Sequence, residues 1–294
     1  DRPYSLTWTH RPAWELAQLI REREVTAETV VQAHLTQIKH HNPQIKAVSV
    51  LDEEEALVRA RQADQELSAG SNEIGPLHGV PITLKDHVIV KGMRTTLGLP
   101  QYWSYRPSKD CELVARLRRA GAIILGRTNV PFGCYDWNCR NPIYPETVNP
   151  WNSSRTPGGS SGGAAVAIAT GMTPLDMGSD LAGSIRLPSH CCGIFGLRTT
   201  DGLLPMNDVG PEDFPPSPSL LTVCGPMSRN VADLHLMLSV LAPEQRKDTP
   251  PVPEKLRIAQ THEILDITAN KATQVAIESF LNNLGKDGHK VTRD

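Results

Sequence analysis

The sequence lacks an excess of either charge, since 30 basic side chains are balanced by 32 acidic ones and the formal net charge is −2. Such a balance gives no sign of a nucleic-acid partner or of a charged surface as partner. The longest stretch without a charged residue, Thr156 to Leu175, is interrupted by prolines and glycines and predicts no membrane-spanning helix. The N-terminus lacks a basic segment followed by an apolar core, so no signal peptide is predicted and a cytoplasmic location follows by default.

The chain also lacks the cysteine and histidine patterns that hold metals or build disulfide frameworks. It contains no C-x-x-C pair and no H-E-x-x-H motif. We therefore predict no metal and no cofactor. The six cysteines are predicted to be reduced thiols that pack as small apolar side chains: Cys111, Cys134, Cys139, Cys191, Cys192 and Cys224.

Two motifs of other active sites are absent, and a third lacks the secondary structure that it requires. There is no S-x-x-K motif of the penicillin-binding type and no phosphate-binding G-x-x-x-x-G-K-[ST]. The G-x-S-x-G pattern does occur around Ser160 and Ser161, but the hydrolase elbow needs a strand directly before its serine. Residues 149–157 are rich in Asn, Ser and Pro and predict a loop there. The elbow is therefore disfavoured, and so is nucleotide binding.

The most informative segment that is present runs from Thr156 to Ser189 and places three serines among glycines and alanines. Ser160 and Ser161 lie between two pairs of glycines, and Ser184 follows Ala182 and Gly183. Glycine allows the backbone to bend sharply and to approach other groups closely. A serine in such a setting can be presented beside several backbone N–H groups, which suits a nucleophile with its own oxyanion hole.

A serine nucleophile needs a base within hydrogen-bond reach, and two residue types are candidates. Ten histidines are present, but partners of this kind meet in space, so the closeness of His190 to Ser184 in sequence decides little. A lysine can serve if its pKa falls from about 10.4 towards 7, a change of roughly 4–5 kcal/mol that requires burial. Lys85 follows the apolar run Val80–Leu84, which predicts a place at the inner end of a strand. Most lysines are solvated, so these residues alone leave Lys85 a candidate.

Together, these segments resemble the amidase signature family of serine amidohydrolases. The match includes TPGGSSGG with its following GSIRLPS serine and the lysine segment Gly79–Val88. Lys85 precedes Ser160 by 75 residues, and Ser184 follows Ser160 by 24. The segments Ala120–Gly133 and Cys192–Pro205 are also similar to those of the family, so the resemblance covers essentially the whole chain.

The resemblance implies a Ser–Ser–Lys triad. Ser184 would be the nucleophile that forms the acyl-enzyme, and Ser160 would carry protons between Ser184 and the base. Lys85, neutral at rest, would be the final proton acceptor. The resemblance also implies a cis peptide bond between Gly159 and Ser160.

The resemblance assigns further residues around the triad. The oxyanion hole would consist of the backbone N–H groups of Leu181, Ala182, Gly183 and Ser184. Many relatives carry glycine where this chain has Ala182, but only the backbone N–H is needed there, so the hole is expected to persist. Supporting polar residues would be Ser161, Asp180 and Arg186, the last two also forming an ordinary ion pair. Residues lining the substrate pocket, or simply packing in the core, would be Gly133, Cys134 and Tyr135.

The order of elements predicts an α/β fold. Three helical patterns within residues 1–70 form an N-terminal helical lead, after which strands and helices alternate. Alternation of this kind, with the resemblance, predicts a mixed β-sheet covered by helices on both faces, in one domain over residues 1–294. Family members are usually longer, so that domain is expected to be incomplete at its C-terminus.

The predicted function is a serine amidohydrolase that cleaves a small-molecule carboxylic amide to an acid and an amine or ammonia. The sequence Asn149-Pro150-Trp151 is typical of stand-alone amidases of the family and favours this function. Two alternatives remain. One is a glutaminase or transamidase component that needs a partner protein, and the other is an impaired, truncated amidase that acts as a binding module. No nucleic acid or membrane is expected as partner, and a homodimer is left open.

Overall fold

The computed structural model describes residues 8–71, 74–206, 208–211, 213, 221–244, 254–261, 263–264 and 267–293. These residues group into two compact units, Asp1–Arg246 and Lys247–Asp294. The single domain over residues 1–294 stays a prediction. Within the described residues, no helix combines the length and the apolar character needed to cross a membrane.

The first unit is organised around a mixed six-stranded sheet. Its strands are β1 Val48–Leu51, β2 Pro81–Lys85, β3 Ile123–Thr128, β4 Leu175–Asp180, β5 Phe195–Gly196 and β6 Val223–Ser228. They lie in the order β1-β3-β2-β4-β6-β5, with β2 parallel to both β3 and β4 and the remaining pairs antiparallel. Every residue of β2, β3, β4 and β6 is buried, which requires cover on both faces of the sheet. The predicted α/β fold with a mixed sheet is confirmed.

Among the described residues, seven α-helices of a full turn or more accompany this sheet over the ranges given next, and one of them packs unusually closely. They are α1 Ala13–Arg21, α2 Ala27–Ile45, α3 Glu53–Ser68, α4 Glu112–Arg119, α5 Gly162–Ala169, α6 Arg186–Cys192 and α7 Val231–Leu241. Helix α5 is buried from Gly162 to Ile168 and contacts β1, β2, β3, β4 and β6. A Cβ at Gly163 would lie 2.4 Å from the backbone N of Asn129, so only glycine permits this approach.

The helical lead contains a strand that the periodic pattern did not predict. Residues 48–51, with two valines, form β1 at the edge of the sheet, antiparallel to β3. A Cβ at Gly126 would lie 2.1 Å from the carbonyl oxygen of Val50, so glycine in β3 allows this strand to pair closely. The lead therefore contributes to the sheet as well as covering it.

In its described residues, the second unit contains two small sheets and one helix. Strands β7 Arg257–Gln260 and β10 Lys290–Arg293 pair in parallel, and β8 Glu263–Ile264 pairs antiparallel with β9 Ile267–Thr268. Helix α8 Lys271–Lys286 begins after Asn270, whose side chain accepts a hydrogen bond from the N–H of Thr273. Strand β10 follows this helix.

His34 in α2 is a buried histidine that makes stability depend on pH. It is fully buried, its Nδ1 lies 2.8 Å from the carbonyl oxygen of Val30, and its Nε2 has no hydrogen-bond partner among the described residues. Burial lowers its pKa to about 4, and the nearby Arg229 acts in the same direction. Between pH 6.5 and 4 the unfolded chain thus binds a proton that the folded His34 does not, so this residue costs stability as the pH falls.

We predict that His34→Gln lessens the loss of stability on acidification. Relative to the variant, the wild type should lose on the order of 3 kcal/mol of unfolding free energy between pH 6.5 and 4. Urea unfolding followed by circular dichroism across this range measures the difference. The exposed His235 provides the control, since His235→Gln should leave the wild-type slope unchanged. Parallel pH curves for wild type and His34→Gln would contradict the prediction.

Candidate active site

Lys85 ends strand β2, and its ammonium group lies inside the molecule. Its side chain is fully buried. Its Nζ lies 2.6 Å from Ser160 Oγ, 3.0 Å from Ser179 Oγ and 3.4 Å from the carbonyl oxygen of Ser179. The predicted place of Lys85 at the inner end of a strand is confirmed, and its amine meets the predicted serine.

Burial controls the charge of Lys85. Removal from water disfavours the ammonium form and lowers the pKa of Lys85. The side chains of Cys134, Cys224, Cys139 and Asp176 act in the opposite direction, in that order. Lowering the pKa of a lysine raises the fraction that is the free amine at a given pH, and only that form can accept a proton.

The glycine-rich loop that carries Ser160 is held against its surroundings at several points. Gly158 has φ 80°, and a Cβ there would lie 2.7 Å from the Cα of Pro188. The peptide bond between Gly159 and Ser160 is cis, as the resemblance implied. A Cβ at Gly159 would lie 2.5 Å from the carbonyl oxygen of Asp136. The loop therefore fits only because both positions before Ser160 are glycine.

Ser184 lies beside this loop, on the turn that leads from β4 into α6. It is buried, and its carbonyl oxygen accepts a hydrogen bond of 3.1 Å from the N–H of Ser161. Ser161 Oγ lies 3.4 Å from the carbonyl oxygen of Ser179, the residue that also contacts Lys85. The two serine-bearing segments and the lysine thus form one connected cluster.

Asp180 organises the turn that carries Ser184. Its carboxylate accepts hydrogen bonds from the N–H groups of Gly183 at 2.8 Å and Ile185 at 3.0 Å, and from Arg186 Nε and Nη2 at 3.0 and 2.9 Å. Burial acts to raise the pKa of Asp180, but the hydrogen bonds from Arg186 and the backbone outweigh it and hold that pKa well below its usual range. The carboxylate therefore stays ionised and fixes the turn.

One of the predicted oxyanion-hole donors, the N–H of Gly183, already makes a hydrogen bond within the protein. The N–H of Gly183 points at Asp180, while Leu181 and Ala182 lie on the partly exposed part of the turn. Gly183 has φ 102°, a conformation that favours glycine. The oxyanion role of residues 181–184 stays a prediction.

The three predicted pocket residues follow β3 in a short 3₁₀ helix, Phe132–Cys134, and its next residue. Gly133 is buried, and Tyr135 is 65% exposed. Burial raises the pKa of the Cys134 thiol, while Lys85 and a hydrogen bond with Ser160 act against that rise. Cys134 therefore lies beside the Lys85–Ser160 pair. That these residues contact substrate stays a prediction.

The sequence did not point to four polar residues at the centre of this site. They are Asp86, Arg127, Asp176 and Ser179. Arg127 is fully buried, its Nε lies 3.6 Å from Asp86 Oδ1, and its Nη2 donates a hydrogen bond of 3.0 Å to the carbonyl oxygen of Lys85. The available signal is the presence of charged or hydroxyl side chains in strands that are otherwise apolar or glycine, as Asp176 is in β4.

His87 and the cysteines carry no further site. The His87 ring is buried, with Nε2 3.9 Å from Cys224 Sγ, and burial lowers its pKa well below the usual value. All six cysteines are free in this structure, and that they are reduced in the protein stays a prediction. Across the part of the chain that the structure describes, no group of three or more His, Cys, Asp or Glu residues could hold a metal ion.

The site thus combines a buried lysine, hydrogen-bonded to a serine on a glycine-rich loop, with a second serine on the adjoining turn. The Amidase family model matches residues 29–293. The chain belongs to this family.

Named relatives agree with this membership. An indoleacetamide hydrolase from Bradyrhizobium diazoefficiens is 34% identical over 298 residues, which cover 96% of this chain and 56% of that protein. One of the subunits of a glutamyl-tRNA(Gln) amidotransferase from a Cyanothece species is 37% identical, with 80% of this chain and 48% of that protein covered. The solved structure of a fatty acid amide hydrolase matches with a TM-score of 0.92 at 25% identity, over 100% of this chain and 54% of that one. The chain thus spans about half the length of the relatives it matches.

We predict that Asp180→Ala destabilises the first unit. The change leaves the N–H groups of Gly183 and Ile185 and the Arg186 guanidinium without their acceptor, so the unfolding free energy should fall by about 2–4 kcal/mol. Urea unfolding measures the loss. Asp201→Ala, at an exposed carboxylate, is the control and should be close to neutral. Equal stabilities of the two variants would show that Asp180 does not organise the turn.

Proposed function

We propose that this chain carries the catalytic machinery of a serine amidohydrolase, which cleaves a carboxylic amide to an acid and an amine or ammonia. The observation that carries the proposal is the 2.6 Å contact between the fully buried Lys85 Nζ and Ser160 Oγ. Membership of the Amidase family and the names of its relatives support amide hydrolysis. Because the chain spans about half of those relatives, the activity belongs to the proposal.

In the first half of the reaction, neutral Lys85 accepts the proton of Ser160 Oγ as Ser160 accepts the proton of Ser184 Oγ. The Ser184 oxygen attacks the amide carbon and forms a tetrahedral intermediate. Ser160 then gives a proton to the amide nitrogen and is reprotonated by Lys85. The C–N bond breaks, the amine leaves, and the acyl-enzyme on Ser184 remains.

In the second half, water replaces the amine. Ser160 takes a proton from the water and again passes one to Lys85, so hydroxide attacks the acyl carbon. The ester bond to Ser184 breaks, Ser184 regains its proton and the carboxylic acid leaves. The same proton transfers between Ser184, Ser160 and Lys85 thus run in both directions, as microscopic reversibility requires.

The oxyanion that forms in both halves needs hydrogen-bond donors. We assign this role to the backbone N–H groups of Leu181, Ala182, Gly183 and Ser184. Gly183 donates to Asp180 at rest, so the substrate oxygen would share this donor or displace the carboxylate. The methyl group of Ala182 takes no part, because only its N–H is used.

The substrate class follows from the surface beside the loop. We propose a small non-peptide amide that carries an apolar group. Tyr135 and Trp137 are 65% and 57% exposed, and the backbone of Trp137 packs against Gly159. Exposed aromatic side chains beside the loop that carries Ser160 favour apolar ligands. Gly133 and Cys134 would complete the lining.

A transamidase component is the second candidate, and the relative from a glutamyl-tRNA(Gln) amidotransferase favours it. Such a component would release ammonia from glutamine only with a partner protein, so glutaminase assays with and without co-purified protein separate the two functions. A degraded amidase that only binds its ligand would give no acyl-enzyme. The cytoplasmic location and a homodimer stay predictions.

We predict that a fluorophosphonate probe labels the wild type once, on Ser184. Ser184→Ala should abolish labelling because the nucleophile is lost. Lys85→Met should slow labelling and amide hydrolysis by roughly a thousandfold or more because the base is lost. Intact-mass analysis with peptide mapping measures the adduct.

The chain offers matched controls for both changes. Ser104→Ala and Lys91→Met alter exposed residues of the same types and should label at the wild-type rate. An adduct on another serine, or full activity in Ser184→Ala, would refute the nucleophile assignment. Wild-type rates in folded Lys85→Met would refute the base assignment.

A further inference from the structure

Asp176 is a buried carboxylate in the middle of the sheet, and the reaction proposed above does not use it. It lies in β4 in register with Thr83 of the parallel strand β2, and it is fully buried. Its Oδ2 accepts hydrogen bonds from Thr83 Oγ1 at 2.7 Å and from Thr128 Oγ1 at 3.1 Å. Its Oδ1 has no hydrogen-bond partner among the described residues.

The bond from Thr128 fixes where this carboxylate lies. Thr128 is on β3, which β2 separates from β4. Neighbouring strands are about 4.8 Å apart, so a contact between β3 and β4 side chains must pass over β2. Thr128 pairs with Lys85 in register, and Thr83 and Lys85 alternate onto the same face of β2. The Asp176 carboxylate therefore lies on the same face of β2 as the side chain of Lys85.

The other buried charges nearby, those of Arg127 and Asp86, pair with each other. Arg127 precedes Thr128 on β3, so its side chain leaves the opposite face of the sheet, where it contacts Asp86 at 3.6 Å. Burial raises the pKa of Asp176 to about 6, while Thr83, Thr128, Arg127 and Lys85 act against that rise. Above this pH Asp176 is an anion whose same-face counterpart is Lys85.

The remaining titratable groups around Lys85 are neutral near pH 8. Burial raises the pKa values of Cys139 to about 11 and of Cys224 to about 12, and it also raises that of Cys134. Burial keeps His87 uncharged. Asp176 is therefore the anion that can balance a proton arriving on Lys85.

We propose that Asp176 is a positioning residue for the base, the counter-charge that stabilises protonated Lys85 after a proton arrives from Ser160. The inference rests on the proposed function, in which Lys85 is that base. A buried ammonium without an anion is costly, so without Asp176 the amine would be a weaker base and would lose its proton at lower pH. The carboxylate thus sets both the strength of the base and the pH at which it becomes active.

The test is Asp176→Asn, which keeps the shape and removes the charge. The acidic limb of kcat/KM against pH should move to lower pH by roughly one unit, kcat on the plateau should fall, and KM should stay unchanged. Asp176→Glu should restore the wild-type limb. An Asp176→Asn profile that superimposes on the wild type would overturn the proposal.

Asp233 provides the matched control. It is buried and accepts hydrogen bonds from the N–H groups of Ala13 and Trp14, at the start of α1. Asp233→Asn should reduce stability and leave the acidic limb in place. A comparable shift in that variant would mean that loss of any buried carboxylate moves the profile, which also overturns the proposal.

A second readout does not depend on turnover. In protein labelled with ¹³C-lysine, the Cε resonance of Lys85, assigned by its absence in Lys85→Met, reports its titration directly. Its midpoint should fall in Asp176→Asn, whether or not the protein hydrolyses amides. If the wild type neither labels nor hydrolyses but this midpoint moves, the proposed function fails and the counter-charge stands. If the wild type is active and the Lys85 midpoint is unchanged in Asp176→Asn, only the counter-charge role of Asp176 is refuted.

Discussion

The burial of one amine is the constraint on which the rest of the site depends. Lys85 Nζ is fully enclosed, so every polar partner it has must come from the protein, and the structure supplies Ser160 and Ser179. Enclosure requires a sheet whose central strands are covered on both faces, and β2, β3, β4 and β6 are buried throughout. The same enclosure lowers the pKa of Lys85 and so favours the free amine, the form that the proposed mechanism uses. The burial that packs the sheet is therefore the same burial that lowers the pKa of Lys85.

The small residues around Ser160 follow from that requirement. Ser160 reaches a buried amine only if its loop lies deep in the protein, and a Cβ at Gly158, Gly159 or Gly163 would lie within 2.4–2.7 Å of backbone atoms. These glycines are therefore needed for close approach, and Gly158 also has φ 80°. The loop is rich in glycine because it lies deep in the protein. Helix α5 packs against the sheet in the same close way.

Sequence alone predicted the elements and residues whose signal is local. The alternation of strands and helices predicted the α/β class, and the resemblance implied Lys85 and Ser160, which the structure brings together. Strand β1 was not predicted within the helical lead, because it is defined by its pairing with the distant strand β3. The sequence did not identify Asp176 and Ser179 as site residues for the same reason. Their partners are 48 to 94 residues away, and a contact across three strands leaves no local pattern.

Strand β4 carries two carboxylates four residues apart, and their surroundings give them opposite properties. Asp180, at the end of the strand, receives hydrogen bonds from the Arg186 side chain and three backbone N–H groups and stays ionised, so it can fix the turn of Ser184. Asp176, inside the sheet, has two hydroxyl donors and a pKa of about 6, so its charge responds to its neighbours. A turn that must hold its shape needs the first kind of carboxylate. A buried amine that must gain and lose a proton needs the second, because its counter-charge has to be close without forming a permanent ion pair.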